Sequence, residues 1–249
     1  MQFAMKRVQA GGCDVQYREG GEGQTVVFLH GGGGHRWDQQ TFTTLAQSYR
    51  LLLPSAPGFD ESTAGQTDTI EDVADVMAAF IAGVADGGPV NVIGESFGGY
   101  VASWLAIRQP QVVDKLVLAA PAGLRQDGTE HPSHMSPAEL QVALYGDRPV
   151  PPPPPEEAEQ RLRNRANSAR IGRSRPQFDQ ALLERLSEIS SPTLVLWGTE
   201  DAVVWPAQAR HYQERIPNVR VDFVQGGPHV LSAAVPDLFL PPLQAFLEQ

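Results

Sequence analysis

The stretch Val90–Gly99, V-N-V-I-G-E-S-F-G-G, narrows the folds open to this chain more than any other. An apolar run of strand-forming residues stops at Gly94. Ser96 follows two residues later, then Gly98 and Gly99, and then a helix-like run from Tyr100 to Arg108. A G-x-S-x-G string alone is common by chance. Placed between a buried-type strand and a helix, it reads as a sharp turn that lifts a serine hydroxyl above the end of a sheet. Glycine suits positions 94 and 98 because strand and helix approach closely there, and the serine itself occupies strained backbone. The helix that starts at the turn directs its free N–H groups and positive dipole end toward the same point.

Upstream, residues 5–18 read as two short strands around Gly11-Gly12. Thr25–Leu29 is a short apolar run suited to a strand buried on both faces, and it ends in His30-Gly31-Gly32-Gly33-Gly34. Helical spacing follows over 37–48, then a strand at Arg50–Leu53 broken by Pro54, Pro57 and Gly58. Thr69–Ala85 reads as a helix with Thr69 as cap and Asp72 at the box position three residues on. A further strand is expected at Lys115–Ala120. Strands alternating with helices over short links predict an α/β fold, a mostly parallel sheet with helices on both faces. Ligands of such sheets bind beyond the carboxyl ends of the strands, where His30–Gly34 and Ser96 both lie.

From Pro121 to about Ser191 the alternation stops. Ser136-Pro137-Ala138-Glu139 is a helix start with a capping box, and the helix runs to about Tyr145. Pro149 and Pro151–Pro155 form a stiff spacer. Glu156–Ala169 and Gln177–Ile189 look helical. The whole of 122–190 reads as a helical insertion over the cleft, a cap on a core made of 1–121 and 191–249. Strands resume at Thr193–Trp197 and Val219–Val224, with helices at Pro206–Ile216 and Leu238–Glu248, which brings the sheet to eight strands.

With 249 residues the chain can bury one large α/β core. Its formal net charge of -10 argues against a nucleic-acid surface and against anionic membranes. No run of 18 apolar residues suggests a transmembrane helix, and the first residues carry no secretion-like apolar stretch. A single cysteine, Cys13, excludes an intramolecular disulfide; a reducing cytoplasm is the expected setting. A homodimer is compatible with the sequence.

Three residues follow directly on predicted strands and carry complementary chemistry: Ser96, Asp201 and His229. Serine at its free pKa is a weak nucleophile and needs an imidazole to take its proton. The imidazole in turn needs a carboxylate to fix its tautomer and stabilise its charged form. Among six histidines only His229 lies after the last strand; His30, at the end of a strand, is read as holding the glycine loop. Glu200 competes with Asp201 for the acid role. His131 and His134 lack companion ligands, so no metal is expected. The run Gly31–Gly34 offers unobstructed N–H groups but lacks the residues of a phosphate-binding loop. It suits an oxyanion hole made by Gly32, helped by Gly33, with the Phe97 N–H. Trp37, Phe97 and Trp205 are candidate apolar walls.

His30-Gly31-Gly32, Pro57-Gly58-Phe59, Gly94-x-Ser96-x-Gly98-Gly99, Gly198-x-x-Asp201 and Gly227-Pro228-His229 together resemble the α/β-hydrolase fold family, over essentially the whole chain. The likeness is greatest to its capped members: esterases, enol-lactonases and C–C bond hydrolases. The order Ser96, Asp201, His229 is that of the family's triad. The resemblance implies a serine hydrolase without cofactor, acting on a small ester or lactone through an acyl-enzyme. C–C hydrolysis on the same residues, or a ligand-binding protein without turnover, are the alternatives. Three departures stand out. The family often has P-G-x-G-x-S where this chain has Asp60 in place of the second glycine. Glu95 and Val230 occupy positions where C–C hydrolases commonly carry Asn and Trp. No role is assigned to Glu95, which adjoins Ser96 and is expected to point away under the cap. Arg161–Arg175 holds six arginines and no acid, a candidate dock for a carboxylate against a plain solvated helix face.

Overall fold

The computed structural model describes residues 3–36, 40–85, 87–125, 135–148, 154–172 and 178–249. A hairpin of β1 (Ala4–Ala10) and β2 (Cys13–Gly20) opens the chain. β3 (Thr25–Leu29), α1 (Gln40–Leu45), β4 (Arg50–Pro54), α2 (Ile70–Val84), β5 (Val90–Glu95), α3 (Phe97–Arg108) and β6 (Val113–Ala119) follow. Three helices then come in succession: α4 (Pro137–Tyr145), α5 (Pro155–Gly172) and α6 (Gln180–Arg185). β7 (Thr193–Gly198), α7 (Ala209–Arg215), β8 (Val219–Val224), α8 (Leu231–Ala234) and α9 (Pro236–Leu247) complete the fold. The sheet has eight strands in the order β1-β2-β4-β3-β5-β6-β7-β8. β1, β2 and β4 pair antiparallel, and every other neighbouring pair is parallel.

The central strands are buried on both faces because alternate residues meet different helices. Val26, Phe28, Ile93, Val117, Leu194 and Leu196 pack with Phe42 of α1 and with Phe239, Leu243 and Phe246 of α9. Val27, Val92, Leu116, Leu118 and Val195 belong to the other cluster, with Val73, Met77 and Phe80 of α2 and Val101 and Leu105 of α3. Cys13 is buried in this second cluster, and burial pushes its thiol pKa up. Both expected capping boxes form. Thr69 Oγ1 accepts from the Asp72 N–H at 3.1 Å while Asp72 Oδ2 accepts from the Thr69 N–H at 2.9 Å, and Ser136 and Glu139 reciprocate in the same way on α4.

Several boundaries differ from the sequence reading; of the helix expected over Gln177–Ile189, the described residues form α6 and then a 3-10 turn at Leu186–Glu188. The helix expected over 37–48 occupies Gln40–Leu45 among the described residues; Trp37 lies outside them. Pro206–Gln208 forms a 3-10 turn before α7 rather than its first turn. The closing helix begins at Pro236, where proline serves at the first helical position, and a separate short α8 precedes it. Of the proline run only 154 and 155 are described, and Pro155 opens α5. An isolated antiparallel bridge between Leu124 and Phe178 links the segment after β6 to the one just before α6, where no strand pairing was expected.

The parallel register sets the site. Leu29 lies opposite Gly94, so the loop after β3 and the turn after β5 leave the sheet side by side. Glu95 lies opposite Ala119, and β6 in turn pairs with β7.

Candidate active site

Ser96 occupies the turn between β5 and α3 with φ 55° and ψ -114°, a region that side-chain-bearing residues rarely adopt. Three backbone hydrogen bonds hold it there. Its N–H donates to Ala119 O at 2.9 Å, and its carbonyl accepts from Tyr100 N at 3.1 Å and Ala122 N at 3.0 Å. The glycines do what the sequence suggested. A Cβ on Gly98 would run into the Leu29 carbonyl, and one on Gly94 into the Gly98 carbonyl.

His229 Nε2 lies 2.7 Å from Ser96 Oγ, and His229 Nδ1 lies 2.8 Å from Asp201 Oδ2. Asp201 is fixed in turn. Its Oδ1 accepts from the Val203 and Val204 N–H groups at 2.8 and 2.9 Å, and its Oδ2 accepts from Trp197 Nε1 at 3.1 Å. Glu200 is exposed beside it and has no part in this chain of bonds. Both His229 and Asp201 are buried. Burial works to lower the His229 pKa, but the Asp201 charge and hydrogen bond, with the Glu95 charge behind them, outweigh it and leave the net shift upward. The arrangement presents a hydroxyl to a basic nitrogen whose conjugate acid is already stabilised.

The glycine loop runs alongside. Gly34 N donates to Gly31 O at 3.0 Å, closing a tight turn. No hydrogen bond from the Gly32 or Gly33 N–H is made among the described residues. Phe97 is the first residue of α3, so its N–H has no partner within the helix. A Cβ on Gly32 would lie 4.0 Å from Phe97 Cβ, so the two donors' residues are neighbours. His30 does more than hold this loop. Its Nδ1 meets Gly31 O at 2.7 Å and its Nε2 accepts from Ala56 N at 3.0 Å, tying the loops after β3 and β4 together.

Ser96, Phe97, His229 and Gly31–Gly34 line a cavity of about 520 Å³ whose far walls come from two helices: Leu140, Leu144 and Tyr145 from α4, and Arg161, Arg165 and Ser168 from α5. Gly33 and Phe97 line it as expected. Trp205 does not. The hydrogen bonds from Val203 and Val204 to Asp201 turn those two valines toward the cavity and leave Trp205 exposed on the surface. His131 and His134 lie outside the described residues. Among the described residues no group of three His, Cys, Asp or Glu side chains is gathered as a metal site would need.

Glu95, to which the sequence assigns no role, has defined partners. It borders the cavity but is buried, and its carboxylate is taken up by α8, with Oε1 accepting from Ser232 N at 3.0 Å and Oε2 from Ser232 Oγ at 2.7 Å. Burial pushes its pKa up against those bonds.

The arginine run divides. Arg163 pairs with Glu159 and Arg170 with Asp68, as a solvated face would. Arg161 is buried, paired with Glu157 at 2.6 Å and donating to His35 O at 3.2 Å. Arg165 meets no carboxylate among the described residues, and burial and the Arg161 charge both lower its pKa. Arg173 and Arg175 lie outside the described residues. Arg36 and Arg125 also line the cavity, and neither was found from sequence because both sit in loops without a pattern. The α4 wall did leave a signal, the apolar pair Leu140 and Leu144 at helical spacing.

A family model described as the alpha/beta hydrolase family matches residues 26–241. The 2-hydroxy-6-oxo-6-phenylhexa-2,4-dienoate hydrolase of Comamonas testosteroni is 28% identical over 221 residues, 76% of this chain and 76% of its own. Lipase 1 of Psychrobacter immobilis is 24% identical over 258 residues, covering 89% of this chain and 76% of its own. Among solved structures, a serine hydrolase involved in carbazole degradation superposes with a TM-score of 0.81 over 99% of both chains, at 22% identity, a likeness of fold. With the sheet order, the turn at Ser96 and a match across most of its length, the chain belongs to the alpha/beta hydrolase family and is a hydrolase.

Proposed function

We propose that this chain is a serine hydrolase of small carboxylic esters or lactones. The observation that carries the reading is the unbroken line of short hydrogen bonds from Ser96 Oγ through His229 to a buried, fully bonded Asp201. Ser96 Oγ attacks the carbonyl carbon as His229 Nε2 takes its proton. The Gly32 and Phe97 N–H groups, with Gly33 nearby, hold the oxygen on which negative charge develops. His229 then returns the proton to the leaving alkoxide, which in a lactone stays attached through the acyl chain. Water, deprotonated by the same imidazole, clears the acyl-enzyme. Asp201 orients the ring and stabilises its charged form throughout. No step calls for a cofactor. The insertion 122–190 acts as a cap that sets the pocket and excludes water. Substrates are small molecules; nucleic acid and membrane surfaces are no part of the reading.

Incubation with a fluorophosphonate tests it, read by intact mass and peptide mapping. A single adduct on Ser96 is expected, lost in His229→Ala and Ser96→Ala, with ester turnover falling by at least ~10³-fold in either variant. Unchanged hydrolysis in Ser96→Ala would remove Ser96 as nucleophile.

A second reading, C–C bond hydrolysis of a carboxylated dienone on the same residues, draws on one observation. The cavity beside Ser96 carries the guanidinium of Arg165, and guanidinium suits a carboxylate. The relative from Comamonas testosteroni is named for such a substrate. Turnover of a phenyl-substituted oxo-dienoate, with esters left intact, would favour it over the ester reading.

A further inference from the structure

Asp60 is the residue that departs from the family's glycine pattern, and its backbone explains why the departure needs a reason. Its φ is 47°, the left-handed region where glycine is the easy choice. Its side chain is fully engaged. Oδ2 accepts from Ser55 Oγ at 2.6 Å, and Oδ1 accepts from Asn164 Nδ2 at 2.8 Å. The Asp60 N–H donates back to Asn164 Oδ1 at 3.0 Å. Asn164 is buried on α5, and its Nδ2 also donates to the Gly33 carbonyl at 3.2 Å.

The same helix covers the loop glycine by glycine. A Cβ on Gly34 would strike Asn164 Nδ2, one on Gly33 would lie 3.7 Å from Arg165 Nε, and one on Gly32 would lie 3.0 Å from Ser168 Oγ. Residues 164, 165 and 168 share one helical face. Asn167 extends it with a 3.0 Å hydrogen bond to Pro57 O. Four consecutive glycines have no side chains to anchor them and lose more backbone freedom on ordering than any other run. The turn between Gly31 and Gly34 and the His30 contact to Gly31 O hold the start of this run; the hydrogen bond from Asn164 to Gly33 ties its middle to α5.

We propose that Asp60 and Asn164 are positioning residues for the oxyanion hole: Asp60 orients the Asn164 amide, and Asn164 fixes the Gly32–Gly33 segment so that its N–H groups meet the developing oxyanion. The inference rests on the serine-hydrolase reading. It makes α5 part of the catalytic apparatus rather than only a wall, because the loop reaches its working geometry when that helix is seated. Asp60 is then kept against its backbone preference for what its carboxylate holds.

The test compares wild type with Asn164→Ala, Asp60→Gly and Asp60→Asn on a chromogenic ester, with thermal melts alongside. Asn164→Ala and Asp60→Gly are expected to lower kcat about ten- to a hundredfold with KM little changed. Asp60→Asn keeps an acceptor for Asn164 and recovers most of the rate. Affinity for a trifluoromethyl ketone, which gives an oxyanion on Ser96, falls by the same factor as kcat/KM, while affinity for the product carboxylate does not. Asp60→Gly relieves the backbone, so its Tm is expected to hold, and it carries the test if Asn164→Ala does not fold. Rates and ketone affinity unchanged in a folded Asp60→Gly overturn the inference and leave the serine-hydrolase reading standing. A wild type that takes no fluorophosphonate overturns both.

Discussion

In the proposed mechanism His229 starts each cycle as a neutral base and becomes a cation while the tetrahedral intermediate stands. Its surroundings pull in two directions. Burial disfavours the cation, and Asp201 at 2.8 Å and the Glu95 charge favour it, so the folded pKa lies above the usual 6.5. Because only the neutral ring can accept the Ser96 proton, kcat/KM falls as pH drops through that raised value. Glu95→Gln keeps the shape but removes one of the charges that raise it, so the acid limb of the pH profile is expected to move to lower pH. A limb that stays in place would mean that His229 does not feel Glu95. Ser96, Asp201 and His229 were legible because each is fixed locally, by glycines or by the end of an apolar run. The partner of Glu95 was not, because Ser232 lies 137 residues away and arrives only through the placement of α8.

Elements whose ends carry their own hydrogen bonds were read closest to their true limits. Thr69 and Asp72 close a box at the start of α2 whose apolar face, with Ile70, Val73, Met77 and Phe80 fully buried, packs on the sheet. Removing the cap leaves orphan N–H groups at a helix the core depends on. Thr69→Ala is expected to cost about 1 kcal/mol, or about 2–4 °C in Tm for a chain of this size, with ester turnover unchanged. A melt within error of wild type would show that water replaces the cap at no cost. Boundaries set by distant packing were misjudged. Val203 and Val204 are turned inward by Asp201, which leaves Trp205 outside and breaks the following helix into a 3-10 turn and α7. No local pattern announces that.

Across the whole molecule, charge is unevenly placed: a chain of net charge -10 lines its cavity with Arg36, Arg125, Arg161 and Arg165. The arginine-rich run was legible, but its division was not. Arg161 and Arg165, four apart, share the inward face of α5. Arg163 and Arg170 turn to Glu159 and Asp68, acids that lie outside the run itself. Arg165 sits near Gly33 and meets no carboxylate among the described residues, which is the basis for proposing that a ligand carboxylate pairs with it. Charge-assisted hydrogen bonds to such a group contribute about 1.5–3 kcal/mol, roughly a factor of ten to a hundred in binding. Arg165→Gln is therefore expected to raise KM about tenfold or more for esters carrying a free carboxylate and to leave neutral esters of the same size unchanged. The preference for the anionic ester should weaken only modestly with added salt, since a partly buried pair is screened less than a surface one. Equal effects on charged and neutral esters would mean that Arg165 shapes the wall and recognises no charge, and the second reading, with its carboxylated dienone, would lose its support.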